Sequence, residues 1–176
     1  MQKLRNEELN RLRADEYKKA PKHPLIVVLD NVRSMHNVGA AFRTADAFCI
    51  EAVYLCGITA RPPHRDISKA ALGAAQTVNW MYFKNTLDAI QVLKEKKYKI
   101  ISVEQVKGGT LLRDYAKPFL DKTALVFGHE VNGVSQQVVD ISDDCLEIPQ
   151  CGTKHSLNIS VSIGVVLWEI LRSVIR

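Results

Sequence analysis

Short apolar runs recur along this chain, and helix-patterned segments separate most of them. Leu25–Leu29 is continuously apolar; Ala52–Cys56, Lys99–Val103, Ala124–Phe127 and Cys145–Ile148 follow, with Val78–Phe83 a weaker sixth. A strand that is apolar at every position has to be covered on both faces. The intervening helices are expected over Ala40–Phe48, with Asn37 as cap, over Ile67–Ala75, and from Asn85 through Lys97. Asn85 and Asp88 resemble a capping box, and Leu87, Ile90 and Leu93 share one side of that helix. Strands alternating with helices give an α/β fold, a mostly parallel sheet of about six strands flanked by helices.

The chain has 176 residues and 47% apolar content, enough for one domain with a sizeable core. We divide it into a charged arm, residues 1–23, and a body, residues 24–176. The arm carries seven Lys and Arg against four Asp and Glu and few large apolar side chains, so it reads as a mostly solvated helix or arm. No run approaches the roughly 18 apolar residues of a membrane span, and the N-terminus lacks the apolar stretch of a signal peptide. A cytoplasmic location is the expectation. Cys49, Cys56, Cys145 and Cys151 form no Cys-x-x-Cys pair and match neither a zinc site nor a disulfide framework. Cys151 is expected to be a small buried hydrophobe. His129 and His155 have no metal-ligand partner at useful spacing, so no metal is implied. A net charge of +5 is compatible with a polyanionic partner.

Three polar constellations interrupt this pattern, each where a strand-like run gives way to a helix-like one. They are His36-Asn37-Val38-Gly39-Ala40-Ala41-Phe42-Arg43, then Phe127-Gly128-His129-Glu130-Val131-Asn132-Gly133, and then Ile148-Pro149-Gln150-Cys151-Gly152 leading to Ser156-Leu157-Asn158. In open α/β sheets that edge is where ligands bind. No Gly-x-Gly triplet and no Walker loop occurs, which disfavours a standard Rossmann oxidoreductase or a P-loop NTPase.

The three constellations together resemble the sequence motifs of the SpoU class of SPOUT RNA methyltransferases. Asn37, Ala40 and Arg43 match Asn-x-x-Ala-x-x-Arg; Gly128, Glu130 and Gly133 match Gly-x-Glu-x-x-Gly. Ile148, Pro149 and Gly152, followed by Ser156, Leu157 and Asn158, match the third motif. Members commonly have Met where this chain has Gln150. The likeness runs from about Pro24 to the C-terminus.

That resemblance implies a C-terminal trefoil knot, a rare exception to ordinary threading, and S-adenosylmethionine as cofactor. It further implies that the cofactor rests on backbone at Gly128, Ile148 and Leu157. Gly128 suits close approach because it has no side chain. The implied reaction is methyl transfer to a ribose 2′-hydroxyl in RNA. Arg43 is then the central catalytic candidate, as the base that deprotonates the hydroxyl or as a charged phosphate clamp; standing alone it would read as a surface salt-bridge partner. Asn37 helps to hold it, and Glu130 orients Arg43 or a neighbouring backbone N–H. Ser156 serves as an N-cap. Asn158, inside an apolar run, needs a polar partner. Arg61, Arg65 and Lys69 gather positive charge after the second strand, either as RNA phosphate contacts or as a solvated loop. The alternatives are a non-catalytic SPOUT-like RNA-binding protein and a base-methylating SPOUT enzyme. The joint presence of the five polar candidates opposes the first, and the Asn37–Arg43 match opposes the second. With no separate RNA-binding domain in the sequence, tRNA is expected over rRNA.

From Ser156 to Arg176 the pattern is one long helix with two apolar stripes. Leu157, Val161, Gly164, Trp168, Leu171 and Ile175 form one; Ile159, Ile163, Val166, Ile170 and Val174 form the other. Two stripes exceed a single core contact. The expectation is one facing the sheet and the other a second subunit, which agrees with the dimers that the resemblance implies.

Overall fold

Every strand of the sheet runs parallel to its neighbours. The computed structural model describes residues 1–115 and 121–175, and every side chain among them except that of Asn6. In chain order the elements are α1 (Ala14–Lys19), β1 (His23–Asp30), α2 (Met35–Ala47), β2 (Ile50–Cys56), α3 (Arg65–Ala71), α4 (Ala74–Thr77) and β3 (Asn79–Phe83). There follow α5 (Thr86–Glu95), β4 (Lys99–Val103), β5 (Thr110–Leu111), β6 (Thr123–Phe127), α6 (Gln136–Asp140), β7 (Asp144–Glu147) and α7 (Ile159–Leu171). The strand order is β3-β2-β1-β6-β4-β7-β5, seven strands where about six were expected. The additional strand, β5, has two residues, too few to show a period.

β1 explains why the sheet is covered on both sides. Successive side chains point to opposite faces. Leu25, Val27 and Leu29 join one core, with α2, α3 and α7; Ile26 and Val28 join the other, with Ala89, Ile90 and Leu93 of α5. All five β1 side chains are essentially inaccessible to water. Burial of each contributes about 1.5–3 kcal/mol, which fixes the register.

Several helix boundaries differ from expectation. Ser34, not Asn37, caps α2: its Oγ accepts from the Asn37 N–H at 3.3 Å. The expected helix over Ile67–Ala75 is two, because Leu72 (φ 48°) and Gly73 (φ 93°) turn left-handed between α3 and α4. His64 caps α3, its Nδ1 accepting from the Asp66 N–H. Asn85 does cap α5, accepting from the Asp88 N–H at 2.9 Å. The last helix begins at Ile159, capped by Asn158 rather than Ser156. Arg176, assigned to that helix from sequence, lies outside the described residues.

The two stripes of α7 part as expected except towards the C-terminal end. Ile159, Ile163, Val166 and Ile170 enter the core, whereas Val161 and Trp168 face outward at 49% and 55% exposure. Leu171, grouped with Val161 and Trp168 from sequence, is buried with Leu167, and Ile175 of the same stripe packs against the core, whereas Val174 of the other stripe is exposed. The arm is largely exposed, and among its described residues Tyr17 is the one buried side chain. No helix among the described residues is long and apolar enough to cross a membrane.

Candidate active site

The C-terminal edge of the sheet brings all three constellations together. β1 leads into the first, β6 into the second, and β7 into the third. Asp30, buried at the end of β1, ties down the segments that follow β1 and β6. Its carboxylate accepts from Asn31 Nδ2 at 2.9 Å, from the Ser135 N–H at 2.9 Å and from the Thr86 hydroxyl. A buried carboxylate needs such donors, and here they come from the turn after β1, the residue before α6 and the first residue of α5.

Glu130 is the hinge between the first two constellations. It accepts from the backbone N–H of Arg33 at 3.0 Å, from that of Ser34 at 2.9 Å, and from Asn37 Nδ2 at 3.0 Å. Of the two roles weighed for Glu130, the backbone one is found. Partial burial opposes its charge, but these donors outweigh that and hold its carboxyl below the usual range. Asn37 Oδ1 in turn accepts from Asn158 Nδ2 at 3.3 Å. Asn158 Oδ1 accepts from the Ser160 N–H at 2.9 Å and from Ser160 Oγ at 2.6 Å. One continuous chain, Glu130–Asn37–Asn158–Ser160, therefore joins segments up to 121 residues apart in sequence. The polar partner required by Asn158 is Asn37.

Beside this chain lies a cavity of about 520 Å³ between the ends of β4, β6 and β7 and the start of α7. Gly128, Ile148, Leu157, Glu130, Ser156 and Asn158 all line it, with Val103, Phe127 and Leu146 as its apolar floor. Its size is that of a small-molecule site. The fit to a nucleoside carrying an amino-acid tail is good. Apolar side chains supply flat contact for a base, and exposed backbone of the 148–158 segment supplies directional polar groups.

Gly128 has a packing reason to be glycine beside the expected one. A Cβ there would overlap the backbone of Gly133 and Val134, where the chain folds back after the turn. That turn is closed by paired backbone bonds between His129 and Gly133, 3.0 and 2.8 Å long. His129 Nδ1 accepts from the Val131 N–H at 3.0 Å, so His129 shapes the turn. Gly133 has φ +67°, and a Cβ on it would strike the Glu104 carboxylate.

Arg43 stands apart. Six residues beyond Asn37, it lies about 120° around α2, on the outer side with His36 and Ala47. It is exposed, does not line the cavity, and forms no salt bridge among the described residues. Arg61, Arg65 and Lys69 are exposed too; the Arg61 guanidinium sits 4.3 Å from the centre of the Tyr82 ring. Cys151, expected to be buried, is exposed in the loop before α7, as Gln150 is. Sequence reasoning missed Asp30, Glu104 and Ser160. An acidic residue directly after an apolar run is the one signal that Asp30 and Glu104 offered.

These features define an α/β protein with a ligand cavity at the C-terminal edge of a parallel sheet. Residues 24–168 match the model of the SpoU rRNA Methylase family, and the chain belongs to that family. It is 33% identical over 166 residues to the 23S rRNA (guanosine-2′-O-)-methyltransferase RlmB of Vibrio cholerae, covering 94% of this chain and 66% of that one. It is 34% identical to the tRNA (guanosine(18)-2′-O)-methyltransferase of Aquifex aeolicus, covering 84% and 69% of the two chains. Among solved structures, the TrmH/SpoU tRNA modifying enzyme of A. aeolicus superimposes with a TM-score of 0.79 at 27% identity, over 90% of this chain and 81% of that one. The AdoMet-bound rRNA methyltransferase of Sinorhizobium meliloti shares the fold, with a TM-score of 0.81 at 24% identity, over 91% and 61%. The chain spans 58–66% of the length of the first RNA-methylating relatives it matches.

Proposed function

We propose that this chain transfers a methyl group from S-adenosylmethionine to a ribose 2′-hydroxyl in RNA. The observation that carries the reading is the Glu130–Asn37–Asn158 chain at the rim of a nucleoside-sized cavity. It joins three segments that packing alone does not require to meet. The relatives support the same reaction, some named for 23S rRNA and one for tRNA.

S-adenosylmethionine supplies an electrophilic methyl on its sulfonium. Backbone at Gly128, Ile148 and Leu157 holds it, and Glu130 fixes the start of α2 relative to that cradle. Asn37 and Asn158, locked by mutual hydrogen bonds, form the rim against which the target nucleotide is positioned. Arg43 acts from the outer side of α2 as a charged fork on a substrate phosphate, stabilising the developing alkoxide as the 2′ oxygen takes the methyl from sulfur and the hydroxyl proton leaves to solvent water. Deprotonating an arginine at neutral pH would cost roughly 8 kcal/mol, so a charged clamp is the more economical role. Arg61, Arg65 and Lys69 contact RNA phosphates farther along the same edge.

The exposed stripe of Leu157, Val161, Val165 and Trp168 packs against a second copy of the chain. α2 packs beside α7, so the helix carrying Arg43 adjoins that interface. The trefoil threading and a cytoplasmic location belong to the same reading.

Calorimetry with S-adenosylmethionine and S-adenosylhomocysteine tests the cofactor, and mass spectrometry of ribose methylation in tRNA and rRNA, with and without the gene, tests the reaction. Binding together with loss of one 2′-O-methyl mark is the expected result. No binding of either sulfur compound would remove the proposal.

A further inference from the structure

We propose that Glu104 binds the ribose diol of the nucleoside cofactor, a role that rests on the S-adenosylmethionine reading above. Glu104 follows the last residue of β4, and its own N–H donates to the Leu146 carbonyl at 3.0 Å. The sheet therefore fixes where the side chain starts. Its carboxylate lies in the cavity wall, with Oε2 accepting from the Val134 N–H at 2.8 Å and Oε1 from the Gln105 N–H at 2.9 Å.

Those two bonds orient the group without saturating it. A carboxylate has about four acceptor positions, so each oxygen keeps one. No Lys, Arg or His forms a salt bridge with Glu104 among the described residues. Two acceptors on adjacent oxygens match the two donors of a vicinal diol, as acidic residues after a strand do for ribose in other nucleotide-binding sheets. Ile148 and Leu157, lining the same cavity, are left for the base. Gln105 Nε2 donates to the His155 carbonyl at 2.8 Å, which links the segment after β4 to the loop before α7. A residue needed only to hold the Gly133–Val134 turn would require one acceptor, and an amide would suffice.

The test is calorimetric titration of the full chain with S-adenosylhomocysteine and with its 2′-deoxyadenosyl analogue. The unaltered protein should prefer the ribose form about tenfold, the scale of one hydrogen bond to a charged group. Glu104→Gln should weaken the ribose form about tenfold and leave the deoxy form within about threefold, so the preference collapses. Glu104→Asp, which withdraws the carboxylate but keeps its charge, should also lose the preference and serves if the Gln variant does not fold. Equal weakening of both ligands, or no change in either, would overturn the diol role and leave Glu104 as a turn clamp. If the unaltered chain binds neither ligand, the cofactor reading itself falls and takes this one with it.

Discussion

Asn37 Nδ2 donates to Glu130 Oε1 across 3.0 Å, although the two residues are 93 apart in sequence. The same carboxylate takes the N–H groups of Arg33 and Ser34, so it satisfies backbone just before α2 as well. Glu130→Gln keeps the shape and loses the charge; we expect about 1–2 kcal/mol of destabilisation at neutral pH. The folded protein depresses the Glu130 pKa below its ordinary 4.5. Its contribution is therefore complete above that value and is lost as pH falls through the lower, folded value. Urea unfolding of both proteins between pH 6 and pH 3 should show the gap narrowing as pH falls. A gap that widens toward acid would contradict the assignment.

Gly128→Ala should be far more damaging. The added methyl would overlap the Gly133 and Val134 backbone, and neither strand end nor turn can give way without breaking the His129–Gly133 pair. We expect about 3 kcal/mol of lost stability, at the upper end of overpacking costs. A thermal melt reads it directly, and a variant melting within about two degrees of the parent would show that the turn relaxes freely.

What could be read in the sequence follows the range of the forces involved. β1 was legible because Leu25–Leu29 are apolar without interruption, and burial on both faces leaves few other options. The cap of α2 was not: Ser34 and Asn37 are both cap-competent, and the choice was made by Glu130 drawing the Asn37 side chain outward. β5 exists through its pairing with β7 and has no pattern of its own. The role of Glu104 was not legible: its place after an apolar run was visible, but its partner, Val134, is 30 residues away. The motif residues were found by resemblance, and of the catalytic set the structure brings Asn37, Glu130, Ser156 and Asn158 to one cavity rim or its network, with Arg43 apart.

The outward side of α7 predicts assembly. Val161 and Trp168 are 49% and 55% exposed in the isolated chain of about 20 kDa. Light scattering at micromolar concentration should give twice that mass. Trp168→Glu should yield monomer, because an unpaired charge at the centre of an apolar contact is not tolerated. Trp168 is more than half exposed in the monomer and lies outside its buried core, and an unchanged dimer in the Glu variant would place the interface elsewhere.

Arg43→Ala separates chemistry from fold and from cofactor binding. The side chain is exposed, does not line the cavity and forms no salt bridge among the described residues. Its removal should shift stability by no more than about 0.5 kcal/mol and leave S-adenosylhomocysteine affinity unchanged. Methyl transfer to RNA should nevertheless fall at least about a hundredfold, the scale of losing one electrostatic or general-base contact in a transition state. Arg43→Lys should rescue little if the guanidinium grips a phosphate through two parallel bonds, since an ammonium cannot reproduce that fork. Single-turnover rates and binding isotherms on the same three proteins give both quantities. An Arg43→Ala protein that methylates at the parental rate would remove Arg43 from the mechanism while leaving the cavity and its cradle in place.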